Sequence, residues 1–200
     1  MSSDWAPAAA LTMEPVDPAI PQRVYPTGML LTLGAILMFF AALISAWVVR
    51  KGLSASLLEA PIALPWRLLS LNTALLVTSS IALEASRRLL RAGEPAKFRT
   101  WWYAATALGM AFLIGQFAAW RTLAGQGIYL LASNPDASFF YLFTGAHALH
   151  LIGGIAGLLV VALRPLRQLT RATATRIAAM YWHFLTLIWV SIFLLLIFAK

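Results

Sequence analysis

The stretch IAAMYWHFLTLIWVSIFLLLIFA, Ile177–Ala199, holds no Asp, Glu, Lys or Arg in 23 residues. An α-helix rises about 1.5 Å per residue, so this run can cross a hydrocarbon core of about 30 Å. Hydrocarbon offers no partner to free backbone N–H and C=O groups, so a span must be helical or part of a closed barrel. The run is longer than a barrel strand and does not alternate, which makes it a helix.

Working outward, four more long apolar runs appear. The five spans are read at about 28–50, 68–90, 101–120, 139–163 and 177–199. Composition agrees. Of 200 residues, 61% are hydrophobic and 11% charged, against about 45–50% and about 25% in soluble domains. Mean hydropathy is +0.80. Too few charges exist to cover a water-soluble surface, so a soluble enzyme, a disordered chain and a disulfide-stapled secreted domain are excluded. The chain has no cysteine, hence no CxxC pair and no thiolate metal site. The predicted fold is an all-α integral membrane protein, a five-helix transmembrane bundle. Residues 1–27 carry five prolines and no helical period, and read as an extended, surface-lying tail without a cleavable signal. Residues 28–200 form one domain without internal repeats. Turns are expected around Pro61 and Pro65, with a short interfacial turn at Ile128–Leu131.

The net charge of +8 is spread over short loops, which is a signature of membrane orientation and not of nucleic-acid binding. The tail with Arg23, the loop with Arg87, Arg88, Arg91, Lys97 and Arg99, and the loop with Arg164, Arg167, Arg171 and Arg176 carry ten basic residues on one side. The other side, including Lys200, carries five. The positive-inside rule therefore places the N-terminus in the cytoplasm and the C-terminus outside. Trp47, Trp66, Trp101, Trp102 and Trp120 stand at span ends and read as interfacial anchors.

Ionisable groups inside a membrane are costly, so each is a candidate. Glu84 has Arg87 and Arg88 at i+3 and i+4, which reads as an intrahelical ion pair, with a proton-carrying role as the alternative. His147 and His150 lie three apart on the fourth span, and His183 sits on the fifth at a similar depth to His150. Two facing histidines can ligate haem and three can bind zinc or copper; the other reading is neutral imidazoles hydrogen-bonded between helices. Gly153 and Gly157 form a small-xxx-small pattern, and Asn72, Thr73, Thr78, Ser79 and Ser80 can hydrogen-bond across helices.

Two segments carry a family resemblance. Phe139-Phe140, Thr144-Gly145, His147, Leu149-His150 and Gly154 resemble the TGxHxLHxxxG signature of subunit III of the haem–copper oxidases. Tyr181-Trp182-His183-Phe184 with Trp189 resembles that family's YWHFxDxxW segment. Leu71-Asn72-Thr73 with Ser79-Ser80, Gln116 with Trp120, and Gly28-Met29 with Phe39-Phe40 are similar to further family segments, in collinear order over about residues 26–200. The resemblance is to the short, five-helix bacterial form. It implies an accessory subunit with no catalytic centre, metal or haem of its own, in a terminal oxidase of cytochrome c oxidase type in a bacterial inner membrane. It would pack on subunit I and subunit II, which hold haem and copper, bind phospholipid and sustain proton uptake. A quinol oxidase or a nitric-oxide-reductase-associated complex is the alternative setting, and a free-standing haem- or metal-binding membrane protein a further one. On this reading His147, His150 and His183 bridge helices four and five, Trp182, Trp189 and Asn72 hold the bundle, and Arg87, Arg88 and Arg176 hold lipid phosphate. The chain departs from the family at four acidic positions, which are Ile36, Ala119, Thr186 and Arg176 here.

Overall fold

The computed structural model describes residues 24–54, 64–129, 135–163 and 168–198. It contains five long helices: α1 Val24–Ser54, α2 Trp66–Arg91, α3 Pro95–Gly125, α4 Pro135–Leu163 and α5 Gln168–Phe198. All five are long and apolar enough to cross a membrane. The chain is a multi-pass membrane helix bundle. Tail residues 1–23, the turn at Pro61, the end of the Ile128–Leu131 turn, Arg164, Arg167 and Lys200 lie outside the described residues.

The helices outrun the hydropathy of the sequence. Helix α1 begins at Val24, inside the segment read as tail, with Pro26 in its first turn, where a missing N–H is tolerated. Helix α3 begins at Pro95, and α5 begins at Gln168, nine residues before Ile177. Hydropathy marks only the part of a helix that contacts hydrocarbon. Polar turns such as those holding Lys97, Arg99, Arg171 and Arg176 continue the same hydrogen-bond ladder into the interface.

Two chain reversals follow from local chemistry. After α2, Gly93 takes φ +76°, its N–H bonds the Leu90 carbonyl, and the Glu94 N–H bonds the Leu89 carbonyl. After α3, Gly127 takes φ +76°, with the Gly127 and Ile128 N–H groups bonded to the Ala124 and Leu123 carbonyls. Both are Schellman caps, which need the left-handed backbone that glycine adopts without steric cost. Pro95 then opens α3 at a position that requires no N–H donor.

The α2–α3 hairpin is the most closely packed pair, and α2–α5, α5–α4 and α4–α3 contacts close a four-helix ring. Helix α1 lies outside the ring and touches only α5 and α4 among the described residues. Phe40 of α1 is buried against a small cluster with Phe143, Ile188 and Ile192, while most of α1 is exposed along its sides.

One face of α2 explains the tight hairpin. Leu69, Leu76 and Leu83 alternate with Asn72, Ser79 and Ser86, and all six are 0% exposed. These are two sets of residues spaced seven apart, the pattern of a left-handed antiparallel seam. The small and polar set meets α3. The Ser79 hydroxyl donates to the Ala105 carbonyl at 2.7 Å and the Ser86 hydroxyl to the Phe98 carbonyl at 3.1 Å. Asn72 packs on Gly115, where an added Cβ would come within 2.0 Å of its Oδ1. In a bilayer, such small-residue contact is what draws helices together, because lipid tails are as apolar as leucine.

Candidate functional site

The ring centre is filled by aromatic side chains from α5 and α3. Helices α3 and α5 face each other across the ring, and Trp182 spans the gap. Its ring lies where a Cβ on Gly109 of α3 would approach within 2.6 Å, and a Cβ on Gly154 of α4 within 3.2 Å. Its indole N–H donates to Ser79 Oγ of α2 at 3.1 Å. Since that hydroxyl donates onward to Ala105, one relay ties α5, α2 and α3 together. Two turns further along α5, the Trp189 indole donates to Thr73 Oγ1 of α2 at 3.0 Å. Trp189 also meets Phe112 of α3 edge-on, with centroids 4.7 Å apart.

Two more indoles tie α3 to α4. Trp102 is 1% exposed and donates to the Leu158 carbonyl at 3.1 Å. Trp120 donates to Thr144 Oγ1 at 3.0 Å. The reading of these two as interfacial anchors is corrected: both turn inward, because a bundle wall offers their N–H an acceptor that acyl chains lack. Trp101 and Trp47 stay towards the surface, with Lys51 over the Trp47 ring. Lys51 also bonds Asp136 at 2.8 Å, pinning the end of α1 to the start of α4.

The three histidines occupy three different environments. His147 is fully buried, tilted against Trp189 with centroids 5.1 Å apart and edge-on at 5.8 Å to Phe112, and neither ring nitrogen has a protein partner. His150 turns towards α1, against Phe39 and Phe40, with Nδ1 at 2.7 Å from the Ala146 carbonyl of its own helix. His183 faces α2, with Nδ1 on the Ser80 hydroxyl and Nε2 3.5 Å from Glu84. The similar depth of His150 and His183 does not make them a facing pair, since they point to opposite neighbours, and none of the three bonds across α4–α5. The α4–α5 hydrogen bond comes from Tyr181, whose hydroxyl donates to the His150 carbonyl at 3.0 Å. Among the described residues no cluster of three His, Asp or Glu side chains is arranged to hold a metal ion.

Of the α2 hydroxyl run, Thr73, Ser79 and Ser80 reach α5. Asn72 does not hydrogen-bond across helices. Its amide atoms, like those of Gln116, are buried without a protein partner, and its contact with α3 is one of shape. Glu84 bonds Arg87 at 3.0 Å and Arg88 at 3.6 Å, as the i+3 and i+4 spacing implied. The sequence did not reveal His183 as its third neighbour. Nothing in the spacing along one helix reports which residue of another helix comes to lie beside it. Ile36, Ala119 and Thr186 are all buried, and the Thr186 hydroxyl bonds its own helix at the Trp182 carbonyl. Unpaired carboxylates at these positions would be costly, and this chain fills them with apolar or self-satisfied side chains.

The architecture and its interior define a polytopic membrane protein whose aromatic and hydroxyl residues hold helices to one another. The chain belongs to the cytochrome c oxidase subunit III family, whose model matches residues 19–199. It is 29% identical to a probable cytochrome c oxidase subunit 3 of Nocardia farcinica, covering 91% of this chain and 95% of that one. It is 29% identical to a cytochrome c oxidase subunit 3 of Corynebacterium diphtheriae over 92% of this chain and 96% of that one. With the cytochrome c oxidase subunit 3 of Thermostichus vulcanus, identity is 33% over 64% of this chain and 63% of that one.

Proposed function

We propose that the chain is the accessory, non-catalytic subunit of a bacterial terminal oxidase, carrying no haem or metal itself. It buttresses the catalytic subunits I and II, which hold haem and copper, binds phospholipid and sustains proton uptake over many turnovers of aerobic electron transport. It sits in the inner membrane with its N-terminus and the Arg-rich ends of α2 and α5 in the cytoplasm. The observation that carries this reading is the family match over 19–199. The interior supports it: the motif residues Thr144, Trp182 and Trp189 are engaged in helix-to-helix hydrogen bonds, and His147 lies packed between Phe112 and Trp189. A tagged chain extracted in mild detergent should bring down the haem–copper subunits in fixed ratio. Recovery of a homogeneous chain without any oxidase subunit would overturn the proposal.

The same reading assigns Glu84 a structural part. It is the only carboxylate in the interior of the five spans, and Arg87, Arg88 and His183 surround it. A carboxylate fixed in an ion-pair network is a poor relay, because releasing it strands the largely buried Arg87 guanidinium. Glu84→Gln should therefore leave turnover and proton pumping of the assembled complex unchanged. A large loss of pumping with assembly intact would make Glu84 a carrier.

A further inference from the structure

The groove between the last turns of α2 and the first turns of α5 holds a pocket of about 460 Å³. Three guanidinium groups line it, from Arg87, Arg91 and Arg176, with Thr173 and Thr175 beside them and no carboxylate among the lining residues. Thr175 is 1% exposed, and its hydroxyl has no protein partner. The Arg87 Nε is likewise buried and unpartnered, although its Nη1 holds Glu84. Arg91 and Arg176 make no ion pair among the described residues. Arg88 does not line the pocket; its side chain is 77% exposed and its Nε is turned to Glu84.

A buried hydroxyl and a buried guanidinium N–H without acceptors cost free energy unless a ligand supplies the acceptors. Arg91 and Arg176, both exposed, bring two positive charges to the rim of the concavity, beside Arg87, whose charge Glu84 already meets. We propose that this pocket binds a phosphate ester, whose oxygens accept from the guanidinium forks and from the Thr175 hydroxyl. Guanidinium geometry matches phosphate oxygens in pairs, which a carboxylate-free arginine pocket exploits. The volume falls within the range of about 300–1,000 Å³ seen for small-molecule sites, so it admits the phosphate together with its first carbons, against the apolar wall of Leu90 and Ala172. Two sources offer that chemistry: the headgroup of an acidic phospholipid, and a soluble phosphate ester. The site deepens the lipid part of the proposed function and rests on that reading for the first source alone. It replaces the trio Arg87, Arg88 and Arg176 with Arg87, Arg91, Arg176 and Thr175.

The test uses the full chain, in the assembly in which it purifies, placed in phosphatidylcholine nanodiscs with a minor fraction of phosphatidylglycerol. Native mass spectrometry counts retained phosphatidylglycerol. In parallel, glycerol 3-phosphate is titrated into particles made without it. Removing one charge-assisted contact weakens binding roughly tenfold, and a neutral hydroxyl contact about fivefold. The Arg91→Gln, Arg176→Gln double variant should therefore lose about a hundredfold in affinity and Thr175→Val about fivefold, while Arg121→Gln, at the far end of α3, binds as the parent does. Loss confined to phosphatidylglycerol assigns the lipid source, and loss of glycerol 3-phosphate binding assigns the soluble one. Thr175→Val, nearly isosteric, decides the matter if the double variant does not fold. Failure of the parent chain to bind either probe, or equal binding by the parent and both variants, overturns the proposal. Copurification of oxidase subunits reads the family role separately, so either idea can fail alone.

Discussion

Trp182→Ala should lower the stability of the bundle by about 3 kcal/mol, the low end of the range for large-to-small changes at buried aromatic positions. Trp182 is wholly buried, its ring fills the space above Gly109 and Gly154, and its indole donates to Ser79. The hydrogen bond is the smaller part, because Ser79 keeps its own bond to the Ala105 carbonyl. The cavity is the larger part: two glycines have no side chains with which to close it. The low end applies because lipid, unlike water, returns part of the lost dispersion to the unfolded helices. Trp182→Phe, which keeps most of the ring and loses the N–H donor, should cost about 1 kcal/mol. Thermal unfolding of the detergent-solubilised chain, followed by circular dichroism, gives both values. An unfolding midpoint for Trp182→Ala equal to that of the parent chain would remove Trp182 from the centre of the account.

Gly115→Ala should be the most damaging single-methyl addition in the hairpin. A Cβ there would come within 2.0 Å of Asn72 Oδ1 and 2.9 Å of its Cγ, and Asn72 is fully buried. Overpacking of this kind costs about 1–3 kcal/mol, with the upper end expected where helix backbones must separate. The contact is one of shape, since the Asn72 amide makes no protein hydrogen bond. It follows that Asn72→Ala should rescue Gly115→Ala. The double variant should recover most of the loss, with a coupling of about 2 kcal/mol in a mutant cycle. Additive losses in the cycle would show that the two residues do not meet.

Much of the α2–α3 seam was legible without coordinates. The heptad series Leu69, Asn72, Leu76, Ser79, Leu83, Ser86 stands in the sequence and would have marked the face of α2 that meets α3. It is visible because small polar residues recur among the leucines of α2 and stand out from them. The Gly93 and Gly127 reversals and the Glu84–Arg87–Arg88 pairing were equally local. The histidines were not. His147 and His150 are three residues apart, yet one lies in the ring centre against Trp189 and the other against α1. The shared-face rule places them within one broad stripe, and that stripe straddles two different neighbours.

The sequence by itself determined that the chain crosses a membrane five times as helices, because about 20 apolar residues leave the backbone no other way to satisfy its hydrogen bonds. It also determined the family, since the motif residues stand in order along the chain. Which side of each helix turns inward was decided by the tertiary structure alone. In water a helix advertises its buried face by a polar back, but in lipid both faces are apolar, and α1, α4 and α5 carry no such contrast. Inward and outward residues then differ only in whether a partner waits across the gap: an acceptor for the Trp102 and Trp120 indoles, and a glycine beneath Trp182.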